Sequence, residues 1–215
     1  MIVVSGAFGL LPVSNSKMRR LIAVVCLLVT FAPVVSAQEP KDNDFGKRLV
    51  AAANDRPNHP VRYDPGYVKI AYPNGDVPPE TGVCSDEIIR IYRTVGIDLQ
   101  KEVHEDMDAN RSAYPFKVKW MQVRLDTNID HRRVPNLQVF FQRKGQSLAH
   151  DKNYEPGDLV TWMLPSGRDH IGMLVDRRGK SGQYMVEHNI GDGPQIEDVL
   201  LAWKVTGHYR YGPSR

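Results

Sequence analysis

Two cysteines are all that these 215 residues contain. No pair of Cys ligands and no HExxH run is present, so a zinc centre has little to build on. No apolar run is long enough for a confident membrane span; the longest, residues 21–31 (LIAVVCLLVTF), is eleven residues. There is no internal repeat and no heptad pattern. A charge bias is missing too. The formal net charge of +3 sits wholly in residues 1–37, which hold three of the 28 basic residues and no acidic one, leaving 25 of each sign in the rest. Nothing in that balance favours nucleic acid or an anionic membrane surface.

What is present begins with an export signal. Lys17, Arg19 and Arg20 precede the apolar run, Pro33 breaks it, and Val35-Ser36-Ala37 offers small residues for cleavage. The expected mature chain is 38–215, periplasmic or secreted, with no stable membrane insertion after cleavage. Residues 38–60 read as a linker with a possible short helix at 45–53, and 61–215 as one domain. Cys26 leaves with the signal, so Cys84 remains as the sole thiol. Exported proteins normally pair their cysteines or lack them, which makes a lone one a candidate nucleophile. A small buried apolar residue is the bland alternative.

The neighbourhood of Cys84 favours chemistry. Residues 84–95 (CSDEIIRIYRTV) have helical periodicity, with Ile88, Ile91, Tyr92 and Val95 on one face and Glu87, Arg90, Arg93 and Thr94 on the other. Gly96 is a natural stop. Cys84 then opens a helix, where unpaired N–H groups and the helix dipole favour a thiolate. The last third reads as antiparallel strands at 158–164, 170–176, 183–188 and 203–211, separated by Gly- and Pro-containing turns. A hairpin centred near residue 179 sets His170 almost opposite His188, on one face. Cys84 as nucleophile, His170 as base and His188 as orienting group make a cysteine-hydrolase triad.

The segments Gly82-Val83-Cys84-Ser85, Pro156-Gly157-Asp158-Leu159-Val160, His170-Ile171-Gly172-Met173 and Glu187-His188, in that order, resemble the NlpC-type peptidases, papain-like bacterial enzymes that cut peptidoglycan stem peptides. The resemblance implies an α+β fold with the Cys helix on an antiparallel sheet, the same triad, no cofactor, and a peptidoglycan peptide as substrate. It also implies a tyrosine before the cysteine that aids the oxyanion site, for which Tyr72 is the best match. Over 61–211 the motifs YDPGYVKIAYPNGDVPPETGVCSDEIIR, GIDLQKEVHEDM, NIDHRRVPNLQVFF, HNIGDGPQIED and GHYRYG are similar to a bacterial branch called domain of unknown function 1287.

Two departures stand out. Val83 and Asp86 occupy places where that superfamily has Asp and Gly, and the Cys-to-His interval is long, with an insertion over about 100–154. Arg132 and Arg133, with Asp130 and His131, are candidates for gripping substrate carboxylates. Asp126, Asp130 and His131 offer a weak metal alternative, and a buried ion network is the structural one. His208 reads as structural. Protein partners are not legible. The leading function is an exported hydrolase of an amide bond in peptidoglycan peptides. The alternatives are a thiol acyltransferase or ester hydrolase on the same triad, and a non-catalytic wall-binding or regulatory domain.

Overall fold

A computed structural model describes residues 42–115 and 124–213. The expected export segment, with Cys26, lies outside them. In chain order the elements are α1 (Asp42–Asp55), β1 (Arg62–Tyr63), β2 (Thr81–Gly82), α2 (Cys84–Thr94), α3 (Leu99–Ala109), α4 (Val134–Lys144), β3 (Gln146–Ser147), β4 (Leu159–Met163), β5 (Asp169–Arg178), β6 (Tyr184–Asn189), β7 (Pro194–Glu197) and β8 (Lys204–Arg210). Strands β3 to β8 form one antiparallel sheet in the order β3-β8-β4-β5-β6-β7. The fold is α+β, with the Cys-bearing helix packed on that sheet, as the resemblance implies.

Alternation along the strands sorts two cores. Leu159, Ile171, Met173 and Val175 face the helices and join Ile88, Ile91, Tyr92, Leu137 and Phe141. Val160, Trp162, Leu174 and Val186 face the other way and close over Leu200 and Trp203. Each fully buried Ile or Leu contributes about 1.5–3 kcal/mol relative to exposure, so the helical side dominates stability. Helix α2 touches α1, α3, β5 and β6, and it is buried nearly all round. Glu87, expected on a polar face, is fully buried and ion-paired to Arg56 at 2.6 Å. A helix in the middle of a domain has no wet face to keep polar.

Two boundaries differ from the sequence reading. The stretch read as a linker carries α1, whose Leu49 and Ala53 are core residues, so it is part of the fold. The insertion is not an appendage either. Leu99, Val103 and Met107 of α3 and Leu137, Phe140 and Phe141 of α4 are in the main core. Its polar residues pin the proline-rich 64–79 segment: Gln100 Nε2 donates to the Ala71 and Thr127 carbonyls at 2.8 and 3.0 Å, and Tyr67 donates to Asp126 at 2.9 Å.

Candidate active site

Cys84 is the first residue of α2, and Asp86 fixes that start. Its Oδ2 accepts the Val83 N–H at 2.8 Å, reaching back over the first turn as an acidic N3 residue does. Its two oxygens also receive Arg132 Nε at 2.8 Å and a terminal nitrogen at 3.0 Å. Ser85 Oγ donates to the Arg132 carbonyl at 2.7 Å. Asp86 therefore anchors the start of the Cys84 helix.

The thiol sits among backbone N–H groups of Ile171, Ser85 and Cys84 itself, and Ile171 follows His170 directly in β5. Cys84 is only 5 % exposed. The lowered thiol pKa expected from the helix start is not what the structure gives. Burial pushes the Cys84 thiol up to about 12, outweighing the N–H donors that favour the anion. The resting sulfur is a neutral thiol.

His170 and His188 meet beside Trp162 and Trp203, whose rings lie 5.8 Å from His170. His170 Nε2 and His188 Nδ1 are 2.9 Å apart. The hairpin pairs Met173 with Glu187, and Leu174 with Val186. His188 thus falls opposite Gly172, and His170 is its diagonal neighbour on the same face. The expected facing pair is off by two residues because the ladder shifts between Leu174 and Arg178; a two-residue offset preserves the face. Burial lowers His170 to about 3, so its ring is neutral. With Nε2 engaged by His188, Nδ1 is the nitrogen left to take a proton.

Gly172 makes that meeting possible. A Cβ there would stand 2.5 Å from Val186 Cγ1, 2.8 Å from the Glu187 carbonyl and 3.2 Å from His188 Cβ. Gly172→Ala should therefore push β6 away from β5, cost about 1–3 kcal/mol as overpacking does, and part the two imidazoles. Urea denaturation measures the first effect and the His170–His188 imidazole ¹⁵N resonances the second. An alanine variant of unchanged stability and spectrum would refute the packing account.

Tyr72 is not beside the thiol. It is 40 % exposed and its ring meets His104 edge-on at 5.2 Å. Tyr63 holds the nearby place. It pairs across the β1–β2 ladder with Gly82, two residues before Cys84. Its phenol is pushed up by burial and then by Cys84. Tyr63, Arg168, Asp169, His170, Ile190 and Trp203 line a cleft of about 290 Å³. Sequence reasoning missed Tyr63 because proximity in sequence favoured Tyr72; the short parallel ladder, which no motif announces, brings the earlier tyrosine in.

The four candidate substrate contacts are elsewhere. Arg132 is 7 % exposed and its fork is occupied by Asp86, with the Gly66 carbonyl at 3.1 Å. Asp130 is fully buried, accepting from the Asp126 N–H at 2.7 Å and lying 3.3 Å from His104. His131 is buried and held neutral, its pKa lowered to about 3 by burial and then by Arg132. Arg133 precedes α4, and Asp130 and Asp126 offset the effect of its burial. None lines the cleft. They belong to a largely buried polar network, in which Asp86 of α2 holds the Arg132 fork and the insertion's Asp130 and Asp126 act on Arg133. His208 is structural: Nε2 meets buried Asp158 at 2.7 Å and Nδ1 the Ala149 carbonyl at 2.7 Å.

Residues 50–211 match the family model described as Domain of unknown function (DUF1287). The chain belongs to this family. It is 52 % identical over 152 residues to the uncharacterized protein YijF of Escherichia coli (strain K12), covering 69 % of this chain and 73 % of that one. Among solved structures it is similar to NlpC1 from Trichomonas vaginalis, at 20 % identity and a TM-score of 0.46 over 81 % of this chain and 46 % of that one. A lipoprotein-like member of the NLP/P60 family from Staphylococcus aureus gives 15 % identity and a TM-score of 0.39, over 82 % and 44 %. The chain spans less than half the length of either.

Proposed function

We propose that this protein is an exported cysteine hydrolase that cleaves an amide bond in peptidoglycan stem peptides. The observation that supports the reading is a buried thiol at a helix start, next in space to the residue that follows one member of a buried imidazole pair. The Ile171 N–H donor to the sulfur is one peptide unit from His170, and His170 is bonded to His188 at 2.9 Å. Export rests on the basic cluster, the apolar run and the Val35-Ser36-Ala37 site.

Cys84 Sγ attacks the carbonyl carbon while its proton passes to His170 Nδ1. Deferring ionisation to the moment of attack suits a thiol whose anion is costly at rest. The N–H groups at the start of α2, with Tyr63, are the donors at hand for the carbonyl oxygen as it becomes an oxyanion. His170 then protonates the leaving nitrogen as the C–N bond breaks, leaving a thioester. Water, deprotonated by His170, attacks that thioester; the C–S bond breaks and the sulfur regains a proton. Arg168 and Asp169 give the cleft one group of each charge, which suits a peptide bearing both carboxylates and amines.

Mass analysis of purified muropeptides incubated with residues 38–215 tests this. The expected result is a stem peptide split at one amide, with the mass of water gained, and no cleavage by Cys84→Ala. Unchanged muropeptides, or equal cleavage by the alanine variant, would overturn it.

A further inference from the structure

His188 carries an ambiguity that an asparagine or glutamine in its place would not. To orient His170 it must present a lone pair at Nδ1, because His170 needs its own Nδ1 open to receive the thiol proton and so carries its hydrogen on Nε2. That requires the Nε2–H tautomer of His188. A free imidazole exists in both tautomers, so something must choose. Glu197 Oε2 lies 2.9 Å from His188 Nε2. The carboxylate comes from β7, where Glu197 pairs with Val186 and so shares the face of His188 two residues on. It approaches off the axis of the ring N–H and is 43 % exposed, a close polar contact at the sheet's rim.

We propose that Glu197 is a positioning residue, which holds the His188 hydrogen on Nε2 and thereby keeps His170 in the tautomer that accepts a proton from Cys84. Two approaches fix the order, His170 Nε2–H to His188 Nδ1 and His188 Nε2–H toward Glu197, and the proposed mechanism adds the transfer from Cys84 Sγ–H to His170 Nδ1. Every hydrogen in that order is assigned by its neighbour, and Glu197, which has no hydrogen to give, sets the direction. The other charged groups near the pair do not compete. Glu187, next to His188, points to the opposite layer, where Glu87 and Arg56 act on it, and Arg168 and Asp169 lie by the cleft at the far side of His170. Glu197 belongs to the QIED motif, but its strand starts at a proline after a glycine-rich loop and gives little sign of itself in the sequence.

The catalytic consequence rests on the hydrolase reading, and the tautomer does not, which keeps the two separable. In imidazole ¹⁵N spectra of residues 38–215, wild-type His188 should be the Nε2–H tautomer, and Glu197→Ala should convert it to a mixture. Glu197→Gln retains an acceptor oxygen and should restore the wild-type pattern. In muropeptide hydrolysis, Glu197→Ala should lower kcat about 10-fold with KM unchanged, the low end of the loss when an outer partner of a working imidazole is removed. In a His188→Gln background the same change should do nothing more, since an amide has no tautomer to choose. An Nδ1–H tautomer in the wild type, or an equal loss in both backgrounds, would overturn the inference. If the spectra behave as expected while neither wild type nor Cys84→Ala cleaves muropeptides, Glu197 keeps its role and the hydrolase reading falls.

Discussion

Arg132→Leu is expected to destabilise the protein by about 3–5 kcal/mol, the cost of stripping the partner from a buried charge. The charge left behind is Asp86, 2 % exposed, which would retain the Val83 N–H and lose both guanidinium bonds. Arg132→Lys keeps a positive charge but not the planar fork, and it too should lower the urea midpoint, by less. The double variant Asp86→Ala/Arg132→Leu should cost clearly less than the two single changes added together, because it leaves no orphaned ion. Equilibrium denaturation of the wild type, Arg132→Leu, Arg132→Lys, Asp86→Ala and the double variant measures all of these effects. Wild-type stability in Arg132→Leu, with a raised KM for substrate, would restore the carboxylate-gripping role that the geometry removes.

The thiol should titrate late. With Cys84 pushed up to about 12, its thiolate fraction at pH 7 is roughly three orders of magnitude below that of an ordinary cysteine of pKa about 8.5. Iodoacetamide should therefore modify the folded protein very slowly at pH 7. The rate should climb about tenfold per pH unit up to the limit of alkali stability, with no plateau near 8.5. Restricted access to the buried sulfur lowers the whole curve without changing its slope, so the slope is the measurement. Fast alkylation that persists below neutrality would mean a preformed thiolate–imidazolium pair and would remove the general-base step proposed above.

Those two expectations both reverse readings made from the sequence, for one reason. A helix start lowers a thiol pKa and an arginine pair grips carboxylates only where water is near, and periodicity along one element does not report what covers it. Cys84 is roofed by β5 and Tyr63's strand. Arg132 meets Asp86 across 46 residues of sequence, a pairing that neither residue's surroundings betray. Glu87 shows the same effect: its place in the helical wheel says solvent, and Arg56, just after α1, meets it instead.

The readings that held depend on local order. Strands β4, β5, β6 and β8 were legible because branched and aromatic residues alternate between turn residues, and α2 because its isoleucines recur at helical spacing. The hairpin length alone put His170 and His188 on one face, since strand parity survives a two-residue slip. Helices α3 and α4 were hidden in a polar-rich stretch, although most of the apolar residues they carry are buried.

By itself, then, the sequence determined the helix that begins at Cys84, the antiparallel strands of the last third, and the shared face of the two histidines, because each follows from periods of 3.6 or 2 and from turns a few residues long; the α+β class came from the resemblance. Only the tertiary structure decided which tyrosine stands by the thiol, that Arg132 serves Asp86 and not a substrate, that the thiol rests neutral, and that Glu197 closes on His188. Each of these depends on which distant segments bury which groups. Burial sets both the cost of a charge and the partner available to offset it.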